Sequence, residues 1–176
     1  MRCGACQQHP TGFAVACAPF HYRFPIDAAI RALKFGRRLE YAPALAAMLE
    51  PALQRLPADV DALLPVPLHW RRQAGRGFNQ AAELCRPLQR NTGWPMLRQV
   101  HRVRQTRYQT ELGAAARRRN LHAAFAVTDA VTARHVLIVD DVMTTGATCR
   151  ELAAVLRGAG AANVSVLTVA RASGSR

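Results

Sequence analysis

Residues 135–170 read HVLIVDDVMTTGATCRELAAVLRGAGAANVSVLTVA. The apolar run at 135–139 predicts a buried strand, the following DDVMTTGAT a turn, and the next segment a helix. The apolar face of that helix consists of Leu152, Val155, Leu156 and Ala159. The run at 163–170 predicts a second buried strand. Because a strand, a helix and a strand in this order form a βαβ unit, we predict an α/β fold with a mostly parallel sheet flanked by helices.

Upstream, the hydrophobic pattern predicts two amphipathic helices that are separated by a break near Gly36. The apolar positions at helical spacing are Ile26, Ala29, Ile30 and Leu33, then Leu45, Met48, Leu49 and Ala52. The segment 61–67 predicts a buried strand, and 79–93 a helix with Asn79 as its cap and a kink at Pro87. The segment 97–120, with seven Arg against one Glu, predicts a mobile, positively charged region.

The length of 176 residues fits one domain and excludes two full-sized ones. Residues 1–19 are rich in Cys, His and Pro, and we expect them to be the remnant of a separate module beside a main domain at 20–176. The chain carries 24 Lys and Arg against 11 Asp and Glu, a net charge of +13, and Lys34 is its only lysine. Such a field attracts phosphates, nucleic acid or acidic surfaces.

Neither a membrane span nor a secretory signal is visible in the sequence. No apolar run approaches the roughly 18 residues that a span needs, and the segment MRCGACQQHP lacks the apolar core of a signal peptide. The five cysteines are an odd number spread along the chain, which favours reduced thiols. We therefore expect a cytoplasmic protein without membrane insertion. No segment indicates an oligomeric state.

Two acids and a Thr/Gly-rich turn follow the first predicted strand of the βαβ unit. Ligands of open parallel sheets bind beyond the carboxyl ends of the strands, where Asp140 and Asp141 lie. Residues 144–148 then lead into a helix N-terminus, whose N–H groups and positive end suit one phosphate. Adjacent carboxylates would repel that phosphate and instead suit sugar hydroxyls or a divalent metal. The pattern favours a phosphorylated ribose over a merely capped turn.

The string VLIVDDVMTTGAT resembles the 5-phosphoribosyl pyrophosphate (PRPP) signature of type I phosphoribosyltransferases. The resemblance implies a type I phosphoribosyltransferase fold with a small hood over the site. It also implies that Asp140 and Asp141 hold the ribose 2- and 3-hydroxyls and that catalysis depends on them. The 5-phosphate would be cradled by Thr144, Thr145, Gly146, Ala147 and Thr148.

A second basic segment, PVPLHWRRQAGRGFNQA at 65–81, follows another predicted strand. Its arginines offer paired donors to phosphate oxygens, and its glycines allow a flexible loop; the alternative is an exposed basic turn. By the type I resemblance this segment binds pyrophosphate through Arg71, Arg72, Arg76 and Gly77. Together with IRALKFGRR and RQTRYQTELGAAARRRNLHAAF, the string RRQAGRGFNQAAELC resembles the ComF/GntX family of phosphoribosyltransferase-like proteins, which is linked to DNA uptake and use.

The same resemblance assigns a lid to the arginine-rich segment. Arg104, Thr106 and Gln109 match the family's R-x-T-x-x-Q pattern, which continues through Leu112, Arg118 and Asn120. Closure of a lid would exclude water from the reacting centre. The alternative is a solvated or nucleic-acid-binding face.

Cys3 and Cys6 have the C-x-x-C spacing of a zinc site, which needs two further ligands. Family members usually carry a second C-x-x-C pair; here Cys17 with His9 or His21 is the available completion, so zinc stays an open alternative. Cys85 and Cys149 lie on helical faces and are expected in the core. Among the scattered aromatics, we expect Trp70 and Trp94 to pack in the core or a loop, and leave Phe78 and Tyr108 open.

Two functions follow from these residues together with the family resemblance. The first is Mg²⁺-dependent transfer of a 5-phosphoribosyl group from PRPP to an unidentified acceptor, in a protein associated with DNA uptake. The second is a non-catalytic PRPP sensor or an accessory protein that binds single-stranded DNA or the DNA-uptake machinery. The acceptor would be chosen by a hood formed by the N-terminal helices and residues 97–120, and no residue is assigned as a general base.

Overall fold

A parallel sheet forms the centre of the molecule in the computed structural model, which describes residues 12–103 and 124–172. In this part of the chain its strands are β1 (Ala16–Cys17), β2 (Phe20–His21), β3 (Ala62–Pro65), β6 (His135–Met143) and β7 (Asn163–Arg171). The order is β1-β7-β6-β3, and β2 pairs with β7 beyond β1. Two further strands, β4 (Val100–Arg102) and β5 (Phe125–Val127), form a separate antiparallel pair.

Helices cover both faces of the sheet. They are α1 (Ile26–Gly36), α2 (Tyr41–Leu53), α3 (Trp70–Arg76), α4 (Gln80–Thr92) and α5 (Ala147–Gly158). One hydrophobic cluster combines buried residues of α1, α2 and α4 with Leu137 and Val139 of β6. A second combines α5, β4 and β5 with Val136 and Ile138. Alternate residues of β6 therefore enter the two layers, as the period of a strand requires.

The predicted βαβ unit is confirmed as β6, α5 and β7. The two strands are parallel and in register from the pair His135 and Asn163 to the pair Met143 and Arg171. The predicted turn is shorter than expected, because β6 continues through both aspartates to Met143 and only 144–146 turn. Pairing with the carboxyl end of β7 extends the strand. The α/β fold with a mostly parallel, helix-flanked sheet is confirmed.

The two N-terminal helices are also confirmed, with the break at the predicted place. Gly36 ends α1, and Arg37 follows with φ +51° as the left-handed cap. The predicted core position Met48 is wrong, because its side chain is exposed, whereas Leu45, Leu49 and Ala52 are buried.

The predicted helix at 79–93 is α4. Its cap is confirmed, since Asn79 Oδ1 accepts a hydrogen bond from the Ala81 N–H at 3.0 Å. The helix runs through Pro87 to Thr92. Part of the region predicted to be mobile is ordered, because Val100–Arg102 pairs with Phe125–Val127.

A polar network lies at the amino end of β6, opposite the predicted site. His135 Nδ1 lies 2.8 Å from Asp59 Oδ1, and His135 Nε2 lies 2.9 Å from Ser165 Oγ. The Asp61 carboxylate accepts hydrogen bonds from the N–H groups of Arg134 and His135 at 2.9 and 3.0 Å. Ser165 is fully buried, so this chain of Ser, His and Asp ties β6, β7 and the segment before β3 together.

The domain boundary predicted after residue 19 falls between two strands of the main sheet. Ala16 pairs with Val166, and Phe20 pairs with Ala170. Cys3, Cys6 and the rest of 1–11 lie outside the described residues. Within 12–103 and 124–172, every helix is too short or too polar to span a membrane.

Candidate functional site

Three chain segments meet at the carboxyl edge of the sheet because β3, β6 and β7 are parallel. Pro65 pairs with Val139, and the Val66 N–H donates to the Val139 carbonyl at 2.9 Å. The segment after β3 and the acid pair after Val139 therefore begin side by side. This is the edge at which open α/β sheets bind ligands.

The two aspartates are neighbours on β6 but differ in exposure. Asp141 is 2% exposed, whereas Asp140 is half-buried. The Asp141 N–H donates to Asp140 Oδ1, and the Val142 N–H donates to Asp141 Oδ1, both at 2.9 Å. These bonds fix both carboxylates against the strand that carries them.

Asp141 forms an ion pair that the sequence did not predict. Lys34 Nζ, in the last turn of α1, lies 2.5 Å from Asp141 Oδ2. The side chains are 20% and 3% exposed, respectively. A buried carboxylate is costly without a partner of opposite charge, and the ammonium supplies it. Helix α1 is thereby fixed to the carboxyl end of β6.

The Asp140 carboxyl group has a pKa well above its usual value. Burial of the carboxyl group is the main cause, and the negative charge and hydrogen bond of the neighbouring Asp141 add to it. The positive charge of Lys34 acts in the opposite direction. A ligand that donates a hydrogen bond to Asp140, or that brings a positive charge near it, therefore stabilises the ionised carboxylate.

The turn between β6 and α5 has the geometry of an anion cradle. Gly146 has φ +72° and precedes α5, whose first intrahelical bond runs from the Arg150 N–H to the Gly146 carbonyl at 3.0 Å. The N–H groups at 147–149 precede that bond and lie at the positive end of the helix. Thr144 and Thr145 are exposed beside them. These groups can bind one phosphate.

Arg150 is a second residue that sequence reasoning missed. Its Nη1 donates to the Thr145 carbonyl at 3.0 Å, which braces the turn and brings a guanidinium to it. The available signal was a cation in the first turn of a helix that follows a Thr/Gly-rich loop.

The basic segment after β3 is a short helix, α3, rather than the predicted loop. Trp, Arg, Gln and Ala are compatible with helix, and α3 ends where the Gly77 N–H donates to the Gln73 carbonyl at 2.7 Å. Gly77 has φ +82°, which explains a glycine there. Arg76 Nη1 donates to Gln80 Oε1 at 3.2 Å. The side chains of Arg71 and Arg72 lie outside what the structure describes.

The last turn of α1 joins the acid pair to α3. The Arg76 guanidinium lies 5.4 Å from the centre of the Phe35 ring, and Arg37 Nη2 donates to the Gly75 carbonyl at 2.9 Å. Lys34, which precedes Phe35, reaches Asp141. The segments predicted to bind ribose and pyrophosphate are thus brought together, with α1 between them.

Comparison with known proteins identifies the family of the chain. A sequence model of the phosphoribosyl transferase domain matches residues 76–176. The chain is 40% identical over 178 residues to the DNA utilization protein YhgH of Shigella flexneri, covering 96% of this chain and 77% of that protein. It is 35% identical over 182 residues to Competence protein F of Haemophilus influenzae, covering 97% and 78%. The chain belongs to the ComF family of phosphoribosyltransferase-like proteins. The predicted family and fold are confirmed.

Other residues that the ComF resemblance singled out are not placed by the structure. Arg104, Thr106 and Gln109 of the lid, with Leu112, Arg118, Asn120 and Tyr108, lie outside the described residues. Cys3, Cys6 and His9 do so as well. Cys17 packs in the core, and burial raises its pKa, which favours the thiol over the thiolate that binds zinc.

The two helical cysteines are core residues, as predicted. Cys85 and Cys149 are buried. Burial raises the pKa of both thiols, that of Cys149 to about 12, with the Asp140 charge as a smaller cause. Both therefore behave as small apolar side chains.

The aromatic predictions were partly wrong. Trp94 and Phe78 pack against the core, but Trp70 is 64% exposed at the start of α3. Phe24 and Phe35, at the two ends of α1, are also exposed. Of the residues for which packing was predicted, Trp70 is therefore the one that lies on the surface.

Proposed function

We propose that this chain binds PRPP together with Mg²⁺ at the carboxyl edge of its sheet and transfers the 5-phosphoribosyl group to an acceptor. The observation that carries the proposal is the continuity of the site: Asp140 and Asp141 lie near the carboxyl end of the buried strand β6, and the anion cradle at 144–148 follows directly after Met143. A phosphate bound to the cradle would place its ribose beside the acid pair. That combination matches one phosphorylated sugar.

The residues fit a magnesium ion that arrives with the substrate. Among the described residues, no group of three or more His, Cys, Asp or Glu could hold a metal by itself. Mg²⁺ commonly binds through one or two carboxylates and substrate phosphates, so the diphosphate oxygens and Asp140 would hold it. When bound, Mg²⁺ neutralises charge on the diphosphate leaving group.

The protein's own groups would position the donor. Asp140 would accept a hydrogen bond from a ribose hydroxyl, and the N–H groups of the first turn of α5 would bind the 5-phosphate. Arg76 would face the diphosphate from α3. The transfer breaks the bond between C1 and the diphosphate, which leaves with the electron pair, and forms a bond between C1 and the acceptor. Stabilising the leaving charge and orienting the ribose are the enzyme's main contributions.

The relatives' names support a role in DNA uptake or utilisation. The matched proteins are named for DNA utilization and for competence, and we propose that the phosphoribosyl site of this chain serves such a process. The cytoplasmic location predicted from the sequence is part of the same proposal.

A calorimetric titration of PRPP with Mg²⁺ tests the ligand. We expect heat with the wild type and at least about a tenfold loss of affinity in the Asp140→Asn/Asp141→Asn variant, since charged hydrogen bonds contribute roughly 1.5–3 kcal/mol each. Asp129→Asn, which removes one carboxylate far from the edge, is the control. Unchanged affinity in the double variant would remove the ribose assignment, and no heat with the wild type would remove the ligand.

Exposed aromatics favour a second candidate, single-stranded DNA binding. Phe24, Phe35 and Trp70 are 81%, 70% and 64% exposed. Arg37 and Arg38 follow Phe35 along the chain and are exposed. The half-buried Arg76 lies against the Phe35 ring. Aromatic rings for base stacking beside cations for phosphates are the elements of a single-strand platform. A retardation assay at two salt concentrations tests it, and no binding at low salt would end it.

A further inference from the structure

Lys34 lies within reach of any ligand that hydrogen-bonds to Asp141 Oδ2. Its Nζ is 2.5 Å from Asp141 Oδ2. A hydroxyl that donates to the same oxygen would lie about 2.7 Å from it, so the ammonium could be no more than roughly 5 Å away by the sum of these distances. Lys34 therefore belongs to the site if Asp141 does.

The neighbours of Lys34 place it between two parts of the site. Towards the sheet it contacts Asp141, while Phe35 and Arg37, which follow it at the end of α1 or directly after it, contact Arg76 and Gly75 of α3. Helix α3 is the segment assigned to the diphosphate, and Asp140 and Asp141 are assigned to the ribose. The bond that joins ribose to diphosphate would thus lie near the Lys34 ammonium.

The lysine side chain is suited to exchange one negatively charged partner, the Asp141 carboxylate, for another, a diphosphate. Its ammonium is a compact charge on a flexible four-carbon stem, whereas arginine has a rigid fork. The Lys34 side chain is 20% exposed, so solvent and ligands can reach it. A diphosphate carries more negative charge than one carboxylate and competes strongly for this ammonium. Lys34 is the only lysine among the 24 Lys and Arg residues of the chain, and the others are arginines.

We propose that Lys34 binds the diphosphate of the phosphoribosyl donor and that Asp141 holds its ammonium at the site until the donor arrives. This inference rests on the proposed function. It adds a substrate-binding residue from α1 to the strand and loop residues that the motifs identify.

The test compares two ligands that differ by the diphosphate, PRPP with Mg²⁺ and ribose 5-phosphate. Calorimetry is done on the wild type, Lys34→Met and Lys34→Arg. Arg31→Met is the matched control, because Arg31 lies one turn earlier on α1, is exposed and pairs with Asp27 at 2.7 Å. Circular dichroism verifies that each variant is folded. If Lys34→Met does not fold, Lys34→Gln replaces it, since glutamine is neutral and can still hydrogen-bond to Asp141.

We expect Lys34→Met to lower the affinity for PRPP by about tenfold or more and the affinity for ribose 5-phosphate by less than about threefold. Lys34→Arg should keep most of the PRPP affinity, and Arg31→Met should match the wild type. An equal loss for both ligands would show a merely structural role and overturn the inference, as would unchanged PRPP affinity. If the wild type gives no heat with PRPP, the proposed function itself falls, and this inference falls with it.

Discussion

Lys34 Nζ and Asp141 Oδ2 lie 2.5 Å apart and join the last turn of α1 to the carboxyl end of β6. The carboxylate is almost fully buried and also accepts the Val142 N–H. Because the pair connects a covering helix to the central strand, it acts on stability as well as on the candidate site.

We expect Lys34→Met to lower the free energy of unfolding by about 2–3 kcal/mol, because it leaves a buried carboxylate without its counter-charge. Lys34→Met/Asp141→Asn should lose less than the sum of the two single variants, since no uncompensated charge remains. Urea unfolding of the wild type, the two single variants and the double variant measures these free energies. Additive losses would show that the two side chains do not interact in solution.

The network at the amino end of β6 predicts a pH-dependent contribution to stability. The hydrogen bond from His135 holds the pKa of Asp59 below its usual value. A lowered folded-state pKa stabilises the fold above the unfolded pKa of about 3.9, and this contribution is lost as the pH falls through the folded-state value. Asp59→Asn should therefore lower the melting temperature at pH 7, and the difference should shrink below about pH 4. A difference that is constant from pH 7 to pH 3 would contradict this account.

Substitution of Gly146 provides a local test of the anion cradle. Its φ of +72° strains any other residue, although an added Cβ would meet atoms only at 3.5 Å or beyond. Gly146→Ala should cost about 1–2 kcal/mol of stability and weaken the binding of PRPP with Mg²⁺. The control is Gly158→Ala in the last turn of α5, where a Cβ meets no atom within 4 Å and φ is not positive; it should be neutral or stabilising by up to about 1 kcal/mol. Equal effects of the two changes on ligand affinity would refute the cradle.

Substitution of Trp70 tests DNA binding by the exposed aromatic rings separately from the stability of the fold. Its side chain is largely exposed, so Trp70→Ala should leave the melting temperature unchanged while weakening single-stranded DNA binding by about 1–3 kcal/mol, the usual contribution of one stacked base. Met48→Ala, another exposed apolar residue, should not change DNA affinity. Retardation assays on both variants measure their DNA affinities. Equal DNA affinity of Trp70→Ala and wild type would show that this ring is not part of the DNA-binding surface.

The sequence predicted the central βαβ unit because its signal is local and strong. An uninterrupted apolar strand, a helix with one apolar face and a β-branched strand each allow one interpretation, and the family motif lies between the first two. The break near Gly36 was predictable for the same reason.

Other features depend on contacts between distant parts of the chain. The pairing of Lys34 with Asp141 requires knowing how α1 lies over the sheet, which its own periodicity does not give. The extension of β6 to Met143 is set by β7, and the pairing of Val100–Arg102 by a strand beyond residue 123. Trp70 is exposed at the start of helix α3, where the glycines had suggested a loop.

A crystal structure of the chain with PRPP and Mg²⁺ tests the central assignment most directly. We expect the 5-phosphate within hydrogen-bonding distance of the backbone N–H groups at 147–149 and a ribose hydroxyl on Asp140. Saturated crystals in which the phosphoribosyl group lies elsewhere, with both aspartates still paired only within the protein, would contradict it.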